Sequence, residues 1–194
     1  MLSPEREAEI KALAAQYGAP ERIRAVLDDI ETQPLNMSDR TGEVCMVLRR
    51  PNGKLITAIK TIYPKGCFRL LTGGIKDHEA IEAALWREIQ EETGLKASIT
   101  RFLAVIEYAD TTPSNLLNFA TYIFLLDTDD SEIVVSDEDE KIESFREIEV
   151  EELPALAQTL ENAPQEYSDE IQGYWQSWGY FRAVSHHIVY ACLA

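Results

Sequence analysis

Basic side chains are scarce in this sequence. Eighteen lysines and arginines stand against 34 aspartates and glutamates, a formal net charge of −16 over 194 residues. A surface that negative repels phosphate backbones and anionic lipid, which argues against broad nucleic-acid or membrane-surface binding. Cysteine is also rare. Cys45, Cys67 and Cys192 lie far apart without C-x-x-C spacing, and three is an odd number for a disulfide framework. Reduced thiols in a cytoplasmic protein are the expectation. No basic leader opens the chain, and no run approaches the roughly 18 apolar residues of a membrane helix. The remainder suits a globular domain: 45% hydrophobic and 27% charged residues can build one core with an appendage.

The patterning predicts a helical extension over residues 1–38 and a main domain over 39–194. Ile10, Leu13 and Tyr17 recur at helical spacing after Ser3-Pro4, a cap and first turn. Ile23, Val26, Leu27 and Ile30 repeat the spacing beyond Gly18 and Pro20, predicting a second short helix. Glu5, Glu7, Glu9, Asp28 and Asp29 make this pair too acidic to read DNA. From residue 43 the pattern turns strand-like, with Glu43 to Leu48 and Leu55 to Ile59 flanking the turn Pro51-Asn52-Gly53. Phe68 to Leu71 is a further strand, residues 79–93 a helix ending at Gly94, and Ile99 to Tyr108 and Leu117 to Leu126 two longer strands. A strand near Phe145 to Val150 and helices near 151–161 and 169–192 complete the chain, and the expected fold is a mixed α/β sandwich.

One segment carries chemistry. Along the helix that follows Gly73-Gly74, Glu88, Glu91 and Glu92 lie three and four residues apart and project three carboxylates into one patch. Like charges so placed repel and call for a cation. An all-oxygen ligand set favours magnesium or manganese over zinc. The other side of the helix carries Ile81, Ala84, Leu85 and Ile89, an anchor for packing on the sheet.

With these residues in place, the segment resembles the Nudix hydrolases, whose signature is G-x5-E-x7-R-E-U-x-E-E-x-G-U with U aliphatic. Gly73, Glu79, Arg87, Glu88, Ile89, Glu91, Glu92, Gly94 and Leu95 meet every fixed position. The resemblance covers roughly residues 40–155 and implies an α/β/α sandwich, here with extra N- and C-terminal helices. It implies Glu88, Glu91 and Glu92 as ligands to Mg2+ (or Mn2+), with the Gly73 carbonyl sometimes joining them, and Glu79 and Arg87 in support. The implied reaction is hydrolysis of a diphosphate linkage in a nucleoside diphosphate derivative, ADP-ribose or a nucleotide sugar among them. Dinucleoside polyphosphates and nucleoside triphosphates are alternatives, as is a ligand-sensing regulator on the same fold. An isomerase of isopentenyl-diphosphate type is disfavoured, since Cys67 is the one thiol near the box.

The general base has two candidates, Glu88 inside the box and Glu140 in the acidic stretch Asp127 to Glu140, of which Glu140 is preferred. Most of that stretch reads as solvated loop. Thr72 and Arg69 depart from the common family context, where a proline and an aromatic residue are frequent, and Arg69 is read either as a contact to a substrate phosphate or as an exposed strand residue. Pro113 and Tyr108 each miss by a few residues the positions that mark two family subgroups. Tyr63, Phe68, Tyr108 and Tyr122 are candidates to stack on a base. Near the carboxy terminus Trp175, Trp178, Phe181, Val184 and Ile188 form one helical stripe, covered by the domain or by a second copy in a homodimer. His186 and His187, being adjacent, point apart and cannot share a metal.

Overall fold

A computed structural model describes residues 2–27, 40–110, 112, 114 and 116–194. Helix α1 (Pro4–Tyr17) starts where expected, with the Ser3 hydroxyl accepting from the Arg6 amide at 3.2 Å and proline in the first turn. Strands follow as β1 (Glu21–Leu27), β2 (Gly42–Arg49), β3 (Leu55–Lys60) and β4 (Arg69–Gly74), then helix α2 (Ile81–Thr93). After these come β5 (Ala97–Asp110), β6 (Leu116–Thr128), β7 (Ile142–Ile148), α3 (Leu153–Glu161), the short pair β8 (Tyr167–Ser168) and β9 (Gly173–Tyr174), and α4 (Trp175–Leu193).

Seven strands form one mixed sheet in the order β1-β5-β6-β2-β4-β3-β7, parallel at β1/β5 and β2/β6 and antiparallel elsewhere. The turn at Pro51–Gly53 forms, but β2 and β3 pair only at Arg49 and Leu55 before β4 inserts between them. That insertion delivers Gly73 and Gly74 to the middle of the sheet, opposite Val44 and Glu43.

Strand periodicity sorts the core into two layers. Val44, Met46, Leu48, Tyr122 and Phe124 face α1 and α2, which contribute Ile10, Leu13, Ile81, Ala84, Leu85 and Ile89. Cys45, Val47, Ile123 and Leu125 face α3 and α4, which contribute Leu153, Leu156, Phe181 and Val189. Both faces are covered, so the central strands read as unbroken apolar runs rather than alternating ones. The architecture is the expected α/β/α sandwich.

Two local expectations are corrected. Residues 21–27 form an edge strand instead of a second helix, with Ile23, Ala25 and Leu27 turned towards the α4 layer. Those seven residues carry both spacings, and parallel pairing with β5 decides for the strand. Ile30 lies outside the described residues. At the other end, residues 167–174 form the β8–β9 pair, with Gln172 at φ 48°, and α4 begins only at Trp175. The aromatic stripe of α4 lies against this chain's own domain: Phe181, Val184 and Ile188 pack on the sheet, and Trp175 and Trp178 join Leu160 and Ala163 in a satellite core. Among the described residues no helix is long and apolar enough to cross a membrane. All three cysteines are free thiols.

Candidate active site

The site begins with how α2 is seated. Ile81, Ala84, Leu85 and Ile89 are fully buried in the first core layer, which fixes the rotation of the helix and turns Glu88 and Glu92 towards Glu140. Gly94 closes the helix in the left-handed conformation at φ 64°, its amide donating to the carbonyls of Ile89 and Gln90. Gly73 stands directly against Glu88. A Cβ built there would lie 2.0 Å from the Glu88 Cδ, so only glycine leaves room for that carboxylate against the strand.

Arg87 organises the acids. Its Nε and Nη2 donate to the two oxygens of Glu79 at 2.8 and 2.9 Å, and its Nη1 to Glu88 at 2.7 Å and Glu91 at 2.9 Å. Nη2 also donates to the Gly74 carbonyl at 2.8 Å, so all five guanidinium N–H groups are engaged. Glu79 further accepts from the Lys76 amide, and these donors hold its carboxyl below the usual carboxylate range, the Arg87 hydrogen bonds first.

Glu140 arrives from elsewhere in the chain. The acidic stretch is tied to the end of α2, where the amides of Val134 and Ser136 donate to the carbonyls of Thr93 and Glu91. These are carbonyls that a helix end leaves unpaired, so the stretch works as a cap as well as a solvated loop. Pairing of β7 with β3 then sets Ile142 opposite Lys60, and Lys60 Nζ contacts Glu140 at 2.5 Å and Glu92 at 3.4 Å.

Oxygens of Glu88, Glu92 and Glu140 lie within 4.8 Å of one another. Glu91 stays outside this trio, joined to it through Arg87. Glu88 and Glu92 are 5% and 1% exposed. Burial pushes the Glu88 carboxyl up and the Glu92 carboxyl up to about 7. Burial also acts on Glu140, where the Lys60 ammonium outweighs it and lowers the carboxyl. Glu92 Oε2 is buried without a hydrogen-bond partner. Three crowded carboxylates with an orphaned acceptor among them suit a hard divalent cation.

The cleft over these acids has a volume of about 970 Å3 and is lined with Glu88, Glu91 and Glu140, but also with Arg69, Arg182 and Trp178. Of the aromatic residues singled out from sequence, Tyr63 lines it. Tyr108 and Tyr122 are buried in the core, Tyr108 bonded to the Thr121 hydroxyl at 2.9 Å, and Phe68 packs against the second core layer. Arg69 is a buried residue of the cleft lining instead of an exposed strand residue. Pro113 lies outside the described residues. His186 is buried and accepts from the Leu70 amide at 3.0 Å, whereas His187 is exposed beside Glu161, so the two do point apart. Lys60, Glu43 and Arg182 were not singled out from sequence. Arg182 carries no sequence signal at all, being one charged residue in an aromatic stretch, and Lys60 is one cation at a strand end.

The NUDIX domain family model matches residues 39–171. An ADP-ribose pyrophosphatase of Methanocaldococcus jannaschii is 31% identical over 121 residues, 62% of this chain and 69% of that protein. An RNA pyrophosphohydrolase of Teredinibacter turnerae is 38% identical over 64 residues, 33% of this chain and 37% of that protein. A solved MutT NUDIX hydrolase from Burkholderia pseudomallei aligns at 18% identity with a TM-score of 0.46, covering 79% of this chain and 97% of that one. With the signature met at every fixed position and the family model spanning well over half its length, the chain belongs to the NUDIX domain family.

Proposed function

We propose that this protein hydrolyses the diphosphate linkage of a nucleoside diphosphate derivative with the help of Mg2+, and that ADP-ribose is the first compound to test. The chain is a Nudix pyrophosphohydrolase, and the choice of ADP-ribose follows the name of its Methanocaldococcus relative. The observation that carries the reading is the trio of buried Glu88 and Glu92 with half-buried Glu140, and its unpartnered Glu92 oxygen. Glu88 and Glu92 would hold the cation from α2, with Glu91 and the Gly73 carbonyl beside them. A divalent ion there supplies charge neutralisation for the diphosphate and activation of water.

The chain's own groups do the rest. Arg87 fixes the orientations of Glu79, Glu88 and Glu91, so the ligand set is preorganised before anything binds. Glu140, kept ionised by Lys60, accepts the proton of the attacking water, and Glu88 is the second candidate for that role. Cleavage breaks one P–O bond of the anhydride, the water oxygen joining one phosphorus and the other phosphate leaving with the bridging oxygen. An acidic protein can take so anionic a substrate because cations, bound and intrinsic, line its cleft.

The test is to incubate the pure protein with Mg2+ and a panel of ADP-ribose, nucleotide sugars, dinucleoside polyphosphates and nucleoside triphosphates, and to identify the products. Glu92→Gln, checked for folding, should lose turnover by roughly a hundredfold or more. Unchanged turnover in that variant would refute the metal assignment.

A further inference from the structure

Among the described residues, two buried side-chain polar atoms have no hydrogen-bond partner, and they are opposite in kind. One is the acceptor Glu92 Oε2, which a cation satisfies. The other is a donor, Arg182 Nε. A buried N–H without an acceptor costs about 1–3 kcal/mol, more on a charged group, and calls for an explanation of its own.

Arg182 belongs to a charged cluster with its own imbalance. Its Nη1 donates to Glu43 at 2.7 Å and to the Thr72 hydroxyl at 3.0 Å. The other Glu43 oxygen accepts from Thr121 at 3.0 Å. Thr72 Oγ1 also accepts from Arg69 Nη1 at 2.8 Å, which joins the two guanidinium groups. Arg69 is 5% exposed, yet its remaining hydrogen bonds go to neutral acceptors, the Tyr63 hydroxyl at 3.0 and 2.8 Å and the Leu70 carbonyl at 2.9 Å. Of the two guanidinium groups, Arg182 touches the Glu43 carboxylate, whereas Arg69 has no carboxylate hydrogen bond and is only attracted through space to Glu92 and Glu43. Buried arginine ordinarily pairs with an anion, because taking its charge out of water costs several kcal/mol.

Both arginines line the same cleft as Glu88 and Glu140. We propose that Arg69 and Arg182 form an anion site for a phosphoryl group of the substrate's diphosphate, distinct from the carboxylates that hold the cation. Planar guanidinium groups suit phosphate oxygens, and Tyr63, Thr72 and Glu43 hold these two in place, so little side-chain freedom is lost on binding. Neither arginine is in the box, and Arg182 lies beyond the residues that the family model matches. The site rests on the diphosphate reading above and deepens it. The box places a cation, and β4 with α4 places the anion against it.

The experiment separates the two roles by measuring two affinities in each variant. Mn2+ binding is titrated alone, and then α,β-methylene-ADP, a diphosphate that cannot be hydrolysed, and inorganic pyrophosphate are titrated with the cation present. Arg182→Met and Arg69→Met should weaken binding of the diphosphate probes by roughly tenfold or more while leaving Mn2+ affinity within about twofold. Arg24→Met, the same charge change on the exposed edge strand, should alter neither. A folded Arg182→Met with wild-type affinity for both probes overturns the proposal, and it decides alone if Arg69→Met does not fold. Pyrophosphate binding that depends on Arg182, with no binding of the nucleotide analogue, sinks the nucleoside reading and leaves the anion site standing. Absence of binding by either probe overturns both.

Discussion

The two charged regions of the cleft are built on opposite plans. On the box side, acids outnumber the bases that touch them. Arg87 serves three carboxylates with four of its five donors, and Lys60 bridges two more. On the β4–α4 side, bases outnumber acids, and the support comes from hydroxyl and carbonyl groups. Most of the first cluster comes from one helix and the turn before it, within the span 73–92. The second is gathered from β2, β4, α4 and the β3–β4 connection, with partners as much as 139 residues apart. A local cluster leaves a motif in the sequence. A cluster assembled across a sheet does not.

The sharpest way to break this comparison is to remove the one anion of the basic cluster. Glu43→Gln leaves the Arg182 guanidinium buried without its carboxylate, and losing one partner of a buried pair costs about 3–5 kcal/mol. Glu91→Gln removes a partner of Arg87 that is 30% exposed, and it should cost less than about 1 kcal/mol. Urea unfolding of both variants measures the contrast. Equal losses would mean that the two clusters do not differ in plan.

The basic cluster should also show in the pH dependence of stability. His186 is buried beside it, accepting from the Leu70 amide and donating to the Arg182 carbonyl. Burial disfavours the charged ring, and Arg69 and Arg182 add to that, pulling the group down from 6.5 to about 4. Above pH 6.5 the ring is neutral in folded and unfolded chains alike, and its contribution to stability is fully present. As pH falls towards 4, the unfolded chain takes up a proton that the folded chain refuses, and about 3 kcal/mol is lost. The stability advantage of wild type over His186→Gln should therefore be largest at pH 7 and shrink by pH 4.5. A gap that stays constant across that window would show that the ring is not held neutral.

On the box side the matching test is steric. Gly73→Ala places a methyl group where the Glu88 carboxyl lies, 2.0 Å from its Cδ. Glu88 must move, and a displacement of about 1 Å in a catalytic group costs roughly a hundredfold in rate. Turnover with Mg2+ should fall by that order, and Mn2+ affinity should fall with it. Pyrophosphate binding to Arg69 and Arg182, measured as a contribution separate from the cation's, should change far less.

These contrasts explain what was legible in the sequence. Ile81, Ala84, Leu85 and Ile89 announce a helix with one buried side, and Glu88 with Glu92 follows from the same period. The doubly covered sheet is legible in unbroken runs such as Val44 to Leu48. Residues 21–27 were not, because their spacing fits helix and strand equally and the choice lies with β5, some 80 residues away. Arg69 is flagged in the sequence as a departure from family habit, with phosphate contact and an exposed strand position equally open, because its burial depends on Tyr63, Thr72 and α4. Arg182 has no local signature. Glu140 is intermediate: the acidic stretch is plain, but which acid reaches Glu88 and Glu92 is settled by the register of β7 against Lys60.

That intermediate case gives the smallest effect and the finest test. Ser136 fastens the acidic stretch to α2 through its amide to the Glu91 carbonyl at 3.1 Å and its hydroxyl to the Gln90 carbonyl at 2.9 Å. Ser136→Ala removes only the exposed hydroxyl bonds to the Gln90 and Glu91 carbonyls, so global stability should fall by no more than about 1 kcal/mol. Glu140 sits four residues further on, and its position over Glu92 depends on two restraints, this tether and the β3–β7 pairing. With one loosened, hydrogen exchange at the amides of Val134 and Ser136 should quicken and turnover should drop a few-fold, while exchange across β4 and α4 stays as it was. If the amides stay protected and turnover still falls, the hydroxyl acts on the site directly. If neither changes, strand register alone holds Glu140, and the box side is less dependent on its loop than its hydrogen bonds imply.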